Sequence, residues 1–482
     1  MVIDEGTVLY DSFRITSGEV IYRDFFQFQG PVFYYVYAGL FAFTGPSIAA
    51  ARALNILITA FSATLIGLLV RRSLGPLAGA VTAVVHACLL VPMYPYTSPH
   101  WLAEAFVFMG IYLLVTGRSR ANREVAAGAS LGLSAFTVQS LGLPVLVGSI
   151  LALAITGVAQ RSWKESLIRA FRLFVGALLS IFPFIIYLGV VGALDQMWYG
   201  TVEWVFNHYP QGQTDAMTQG YGAYLAAFLA LHKSVGQPWR GLGTIGLHIV
   251  KFLPVFTIFG AIVAGVRVIV NKWRQRFDYG DLVIGSAAVA ATAPLLLGIT
   301  RVDIVHIAFL GSFGLWGAAT AFQSLVNWKL RFHFPVLSIW IVVGILVITN
   351  FSGKAVMTYR PSRQMQGWRG EILKLGLGRW IDTNLGPNER IVTAFGGLSY
   401  LYIRRSAVGF TFLPFGTPGY YSDEQWRKLG IQILKTLPPV VEVTQEQWLQ
   451  VTQRTPELAR RYQLYNIQDR YILLREGFAP HK

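Results

Sequence analysis

Apolar and polar positions alternate along this chain on the scale of whole membrane crossings. Apolar runs fall at residues 48–70, 75–93, 99–117, 125–139, 142–159, 168–191, 243–270, 281–299, 303–323 and 334–351. A crossing takes about twenty apolar residues, so the pattern predicts about ten transmembrane helices, two of them short. Residues 31–45, PVFYYVYAGLFAFTG, are apolar and aromatic but, at roughly fifteen residues, too short to cross. They predict a helix lying in the interface, with Tyr34, Tyr35 and Tyr37 in the aromatic belt. After residue 351 the runs shorten and Pro-Gly turns appear, as in LGPNER and GTPGYY. RWIDTNLG reads as a helix end, RIVTAF, PVVEV and YILLRE as strands, and EQWRKLGIQILKTL as an amphipathic helix. The predicted fold is a polytopic α-helical membrane protein with a C-terminal α/β domain, in three parts: a loop with an interfacial helix (1–47), a transmembrane domain (48–351) and the α/β domain (352–482). Neither an internal repeat nor a low-complexity linker is visible.

Composition agrees: 54% of the 482 residues are hydrophobic and only 13% charged. The net charge of +16 would point to nucleic acid in a soluble protein. Here the basic residues cluster in short loops between apolar runs, which argues for membrane lipid and against a nucleic-acid partner. Arg71 and Arg72; Arg118, Arg120 and Arg123; Arg161, Lys164, Arg169 and Arg172; Lys272, Arg274 and Arg276; and Lys329 and Arg331 fall in alternate loops, while 94–98 and 139–142 carry none. The basic loops are expected in the cytoplasm, which puts 1–47, the 193–242 loop, the Arg301 turn and everything after 351 outside it. The first thirty residues lack the basic and apolar regions of a signal peptide, so an outside start predicts a further helix upstream. The single cysteine, Cys88, excludes a disulfide framework and a cysteine metal site.

Candidate chemistry begins with the acids. Asp4, Glu5, Asp11, Glu19 and Asp24 precede a long region that holds almost none. Adjacent carboxylates such as Asp4 and Glu5 can hold a divalent cation, or one can act as base while the other positions substrate; a merely solvated acidic loop has the same spacing. In the turn TRVDIVH, Arg301 can grip a phosphate as a fork oriented by Asp303, with His306 beside them. The same residues also fit a snorkelling arginine and an N-cap aspartate. Arg52 lies about five residues, roughly 8 Å, inside its span, close enough to snorkel; Lys251 lies about eight residues, roughly 12 Å, inside, where a cavity or partner is needed. Glu104 opens a span beside His100, which suits a ligand contact or its own helix dipole. Trp198, Trp204, His208 and Tyr209 fit an interface anchor better than a sugar-stacking surface.

The stretch IDEGTVLYDSFRITSGEVIYRDFFQFQGPVFYYVYAGLFAFTG, followed by AAARALNIL, resembles the first extracytoplasmic loop of the GT-C integral-membrane glycosyltransferases. That superfamily holds the protein O-mannosyltransferases and the aminoarabinose transferases. An Asp-Glu pair there follows the first transmembrane helix, and Gly18, Tyr22, Arg23, Asp24 and Pro31 fall at matching places. The resemblance covers most of the chain and implies the upstream helix. It further implies a polyprenyl-phosphate-linked sugar donor and inverting transfer to an acceptor hydroxyl at the extracytoplasmic face of a bacterial inner or plasma membrane. On this reading Asp4 is the base, Glu5 supports it or shares a divalent metal, and Arg23, Asp24, Arg52, Glu104, Lys251, Arg301, Asp303 and His306 contact donor phosphate or sugar. Several branches place a lysine where this chain has Gln139, so another cation, Lys251 or Arg301, would take its role. A transporter of polyprenyl-linked glycans is the main rival and predicts inverted repeats with charge at mid-membrane. An assembly role without catalysis is the third reading.

Overall fold

The computed structural model describes residues 3–116, 120–209, 220–226, 242–273, 279–329, 380–381, 383–386, 388–393, 405–410, 420–467 and 470–478. The span predicted at 334–351 lies outside them. The chain forms two compact units: Met1–Ala53 with Ile186–Gln213 and Pro361–Lys482, and Leu54–Ile185 with Thr214–Arg360. The predicted segments 1–47 and 352–482 thus belong largely to one unit.

Helices run in order as α1 (Ile3–Thr16), α2 (Val32–Thr44), α3 (Ile48–Leu74), α4 (Pro76–Val85), α5 (Pro99–Thr116), α6 (Ala121–Ala135), α7 (Gln139–Gln160), α8 (Trp163–Val190), α9 (Leu194–Trp198), α10 (Trp204–Asn207), α11 (Leu242–Trp273), α12 (Tyr279–Leu296), α13 (Ile304–Lys329), α14 (Asp423–Thr436) and α15 (Gln445–Arg454). Eight segments among the described residues are long and apolar enough to cross a membrane, α4 counting with its continuation to Met93. This is a multi-pass membrane protein. The predicted crossing at 125–139 is the exception, since α6 has 15 residues and starts in the polar ANREV.

That polar start has a physical reason. Glu124 is buried and accepts from Arg169 Nε at 2.6 Å and Arg172 Nη1 at 3.1 Å. Both arginines lie within α8, where they neutralise a buried acid, rather than in a loop. Packing of α6 on α8 rests on three glycines, Gly128, Gly132 and Gly176. A Cβ on Gly128 would fall on the Leu173 carbonyl, and one on Gly176 on the Val125 carbonyl, so the backbones approach as only small residues allow. Around them Phe108, Ile111, Leu131, Val145, Leu153 and Trp316 belong to one buried core.

The other unit starts with a difference. Residues 3–16, expected as loop, form α1, which closes at Gly18 with φ +88°. On α2, expected in the interface, Tyr34 and Tyr37 have no exposure; they are core residues. The C-terminal sheet contains β1 (Val392–Thr393), β2 (Val440–Val443), β3 (Tyr462–Ile467) and β4 (Arg470–Arg475) in the order β1-β2-β4-β3. Strands β1 and β2 are parallel, whereas β4 runs antiparallel to both β2 and β3. Strand β3 and helix α15 were not predicted. Ser422 with Gln425 and Thr444 with Gln447 form capping boxes at α14 and α15. Trp426, Leu429 and Ile433, spaced at i, i+3 and i+7, bury one face of α14.

Gly128→Ala is expected to destabilise the helical unit by about 1–3 kcal/mol through overpacking. Gly265→Ala, whose Cβ would meet nothing within 4 Å, should leave stability nearly unchanged. Thermal unfolding of the two variants in one detergent checks the contrast.

Candidate active site

Asp4 and Glu5 occupy the first turn of α1, about 100° apart around its axis. That rotation separates their environments: Asp4 is exposed and Glu5 has no exposure at all. Glu5 receives a two-pronged contact from Arg52 on the first turns of α3, Nε to Oε1 at 3.0 Å and Nη2 to Oε2 at 2.6 Å. Arg52 therefore serves a buried carboxylate, and its reach toward solvent is limited to a side-chain exposure of 17%. Glu5 with both oxygens so engaged does not present, with Asp4, the paired open carboxylates a divalent ion takes. Among the described residues no group of three or more His, Cys, Asp or Glu could hold a metal ion.

Arg23 and Asp24 form a second fork. Arg23 Nε and Nη2 each lie 2.9 Å from Asp24 oxygens, Val20 N–H donates to Asp24 Oδ2 at 2.7 Å, and Arg23 Nη1 reaches the Val191 carbonyl at 3.3 Å. The Arg23 hydrogen bond, opposed by partial burial and aided by Val20 N–H, holds the Asp24 carboxyl below its ordinary range. Tyr22, with φ +71°, turns the chain here, and its hydroxyl donates to the Gln29 carbonyl at 2.6 Å. The aromatic residues expected at the interface behave otherwise. Trp204 is fully buried, donates Nε1–H to the Tyr420 carbonyl at 2.9 Å and packs on Phe26, Phe28 and Tyr209; only Trp198 is exposed.

In the helical unit the turn 300–306 brings its predicted residues together. Asp303 caps α13, its Oδ1 accepting from Val305 N–H at 3.0 Å and His306 N–H at 2.9 Å, while His306 Nδ1 lies 2.9 Å from the same oxygen. Arg301 Nε meets Asp303 Oδ2 at 2.8 Å. Burial would raise the Asp303 carboxyl, but His306 and Arg301 outweigh it and hold it down at about 2. The Arg301 side chain is 45% exposed, and its terminal nitrogens have no partner among the described residues. His100 stacks on Phe309 at 4.4 Å, with the His306 ring edge-on at 5.5 Å.

Glu104, one turn beyond His100 on α5, is buried and accepts from Ser312 Oγ at 2.6 Å; that hydroxyl is 2.7 Å from His86 Nδ1. Sequence reasoning missed this chain of groups, whose one sign was a lone histidine in the apolar run HACLL. Lys251 is partly buried on α11, its Nζ 5.9 Å from the Tyr224 ring centroid. Gln139 is the first residue of α7.

Neither a family model nor a curated protein matches the sequence. Solved structures do. The crystal structure of ArnT from Cupriavidus metallidurans bound to undecaprenyl phosphate aligns over 99% of this chain and 95% of its own, with a TM-score of 0.58 and 15% identity. The apo state of the same protein aligns over 97% and 92%, with a TM-score of 0.57 and 16% identity.

Replacing Arg52 by Ala leaves Glu5 buried without its cation and should cost about 3–5 kcal/mol. The pair Glu5→Leu with Arg52→Met should recover most of that loss in thermal unfolding; no recovery would mean that the ion pair itself is not what Arg52→Ala removes.

The chain shares its fold with ArnT from Cupriavidus metallidurans.

Proposed function

We infer that the protein is a GT-C-type glycosyltransferase that moves a sugar from a polyprenyl-phosphate-linked donor to an acceptor hydroxyl at the extracytoplasmic membrane face. The observation that carries this reading is the fold, shared over nearly the whole chain with a protein solved bound to undecaprenyl phosphate. An exposed acid on α1 and an exposed, oriented arginine at the head of α13 support it.

The reaction assigns each group a task. The acceptor oxygen bonds to the anomeric carbon as the bond to the phosphate oxygen breaks, with inversion, and the acceptor proton passes to the Asp4 carboxylate. Glu5 is held by Arg52 and acts as a positioning residue for Asp4. Arg301, oriented by Asp303, leaves its terminal nitrogens for the phosphate as its charge grows. Arg23 is already committed to Asp24 and Arg52 to Glu5, and Glu104, bonded to Ser312 through Oε1 alone, is buried, so a donor contact through any of the three needs a rearrangement.

Asp4→Asn is expected to lower transfer of radiolabelled sugar from polyprenyl-phosphate donors about 10²–10⁴-fold, the usual worth of a general base. Arg301→Ala should instead raise the donor KM. Activity in Asp4→Asn equal to wild type would keep the enzyme and remove Asp4 as its base, and loss of transfer on chelation, restored by Mg²⁺, would return Glu5 to a metal-binding role. Inactivity of the unaltered protein with every common donor would favour the transporter reading.

A further inference from the structure

The unit that carries α1 and the sheet contains a cavity of about 500 Å³, within the usual size of a small-molecule site. Residues distant in sequence build it: 22–26, 195–208, 409–410 and 422–432. Close approach of the backbone closes one side. Phe26 N–H donates to the Gly409 carbonyl at 2.8 Å, and a Cβ on Gly409 would meet the Asp24 carbonyl at 2.7 Å. The site is therefore built by the fold.

Its chemistry is mixed in a definite way. Phe26 and Phe410, stacked at 6.0 Å, and Tyr199 supply ring surface. Arg23 and Asp24 neutralise one another, and Glu424 is paired with Arg427, so three of the charged lining groups arrive already satisfied. Asp195 and Lys428, both exposed, have no ion-pair partner among the described residues. Gln425 adds an independent sign. It is 4% exposed, its Oε1 accepts from Ser422 N–H at 2.9 Å, and its Nε2 has no hydrogen-bond partner among the described residues. A buried donor left unmade is destabilising, and a ligand acceptor would relieve it.

These properties select among ligand classes. With Arg23–Asp24 and Glu424–Arg427 paired, Asp195 and Lys428 leave the wall with no net charge, so it lacks the positive excess that would select an anion such as free phosphate. An acyl chain would strand the polar side chains in the wall. A neutral sugar ring has apolar C–H faces to lie on aromatic rings and hydroxyls that both donate and accept.

We propose that this cavity is a saccharide-binding site that holds a neutral sugar residue of the acceptor, with Tyr199 and the Phe26–Phe410 pair under the ring and Gln425 Nε2 donating to a hydroxyl. The acceptor role rests on the transferase reading; the binding does not, and it is measured without turnover.

Saturation-transfer NMR on the full-length protein in detergent, with a panel of methyl hexosides, methyl pentosides and their disaccharides, tests the proposal. Saturable binding of at least one glycoside is expected, weakened at least tenfold in Tyr199→Ala and in Gln425→Glu. Gln425→Glu is informative because glutamate also completes the capping box, so α14 keeps its cap while the Nε2 donor is removed. Binding to no member of the panel overturns the site, as does binding that both variants leave unchanged. Saturable binding of inorganic phosphate that displaces the glycosides overturns the ligand class. A glycoside that binds to a protein inactive in transfer would keep the site and remove only its acceptor role.

Discussion

The ion pair between Glu5 and Arg52 is the constraint on which the amino-terminal part of the structure depends. A carboxylate with no exposure is costly unless its oxygens are met, and the guanidinium fork of Arg52 meets both oxygens of Glu5. The contact joins the first turn of α1 to the first turns of α3, across 47 residues of chain. Because neighbouring helical positions diverge by about 100°, fixing Glu5 inward turns Asp4 outward. An adjacent pair of acids thus becomes one structural group and one chemically accessible group.

The same helix is held at its other end by the carboxy-terminal part of the chain. Tyr10 Oη accepts from Ser406 N–H at 2.7 Å, and Arg14 Nη1 donates to the Val408 carbonyl at 3.2 Å while pairing with Glu19. Buried Asp11 accepts from Gln27 Nε2 at 2.5 Å. Glu5, Asp11, Glu19 and Asp24 are therefore engaged in holding this segment to its surroundings.

What the sequence made legible follows from the strength of the physical rule behind it. Membrane crossings need long apolar runs, and those runs place α3, α5, α7 and α8 to within five residues at each end. Helix α6 was displaced because an apolar window does not see that Glu124 meets two arginines 45 and 48 residues away. Residues 3–16 read as loop because acids in a first turn, favourable to a helix dipole, look in sequence like solvated polarity. Tyr34, Tyr37 and Trp204 read as interface residues because composition cannot tell an aromatic facing lipid from one facing protein. The turn at 301–306 was legible because all its partners are local. Gln425 and Tyr199 were not, since their shared cavity joins segments more than two hundred residues apart.

The helical unit handles its acids in two ways, and the difference bears on which can take part in chemistry. Glu124 is neutralised from two directions by arginines, and Glu104 is held by a hydroxyl that also meets His86; neither has an exposed surface. Asp303 is different. Its carboxyl is held down at about 2, so it stays ionised at any pH above that, and its grip on Arg301 is lost only as pH falls through that value. Arg301 keeps a fixed Nε contact together with an exposed terminal fork throughout the physiological range. A cation oriented by its own acid, yet open on its other edge, pays less ordering entropy when it meets a phosphate than a freely rotating lysine would.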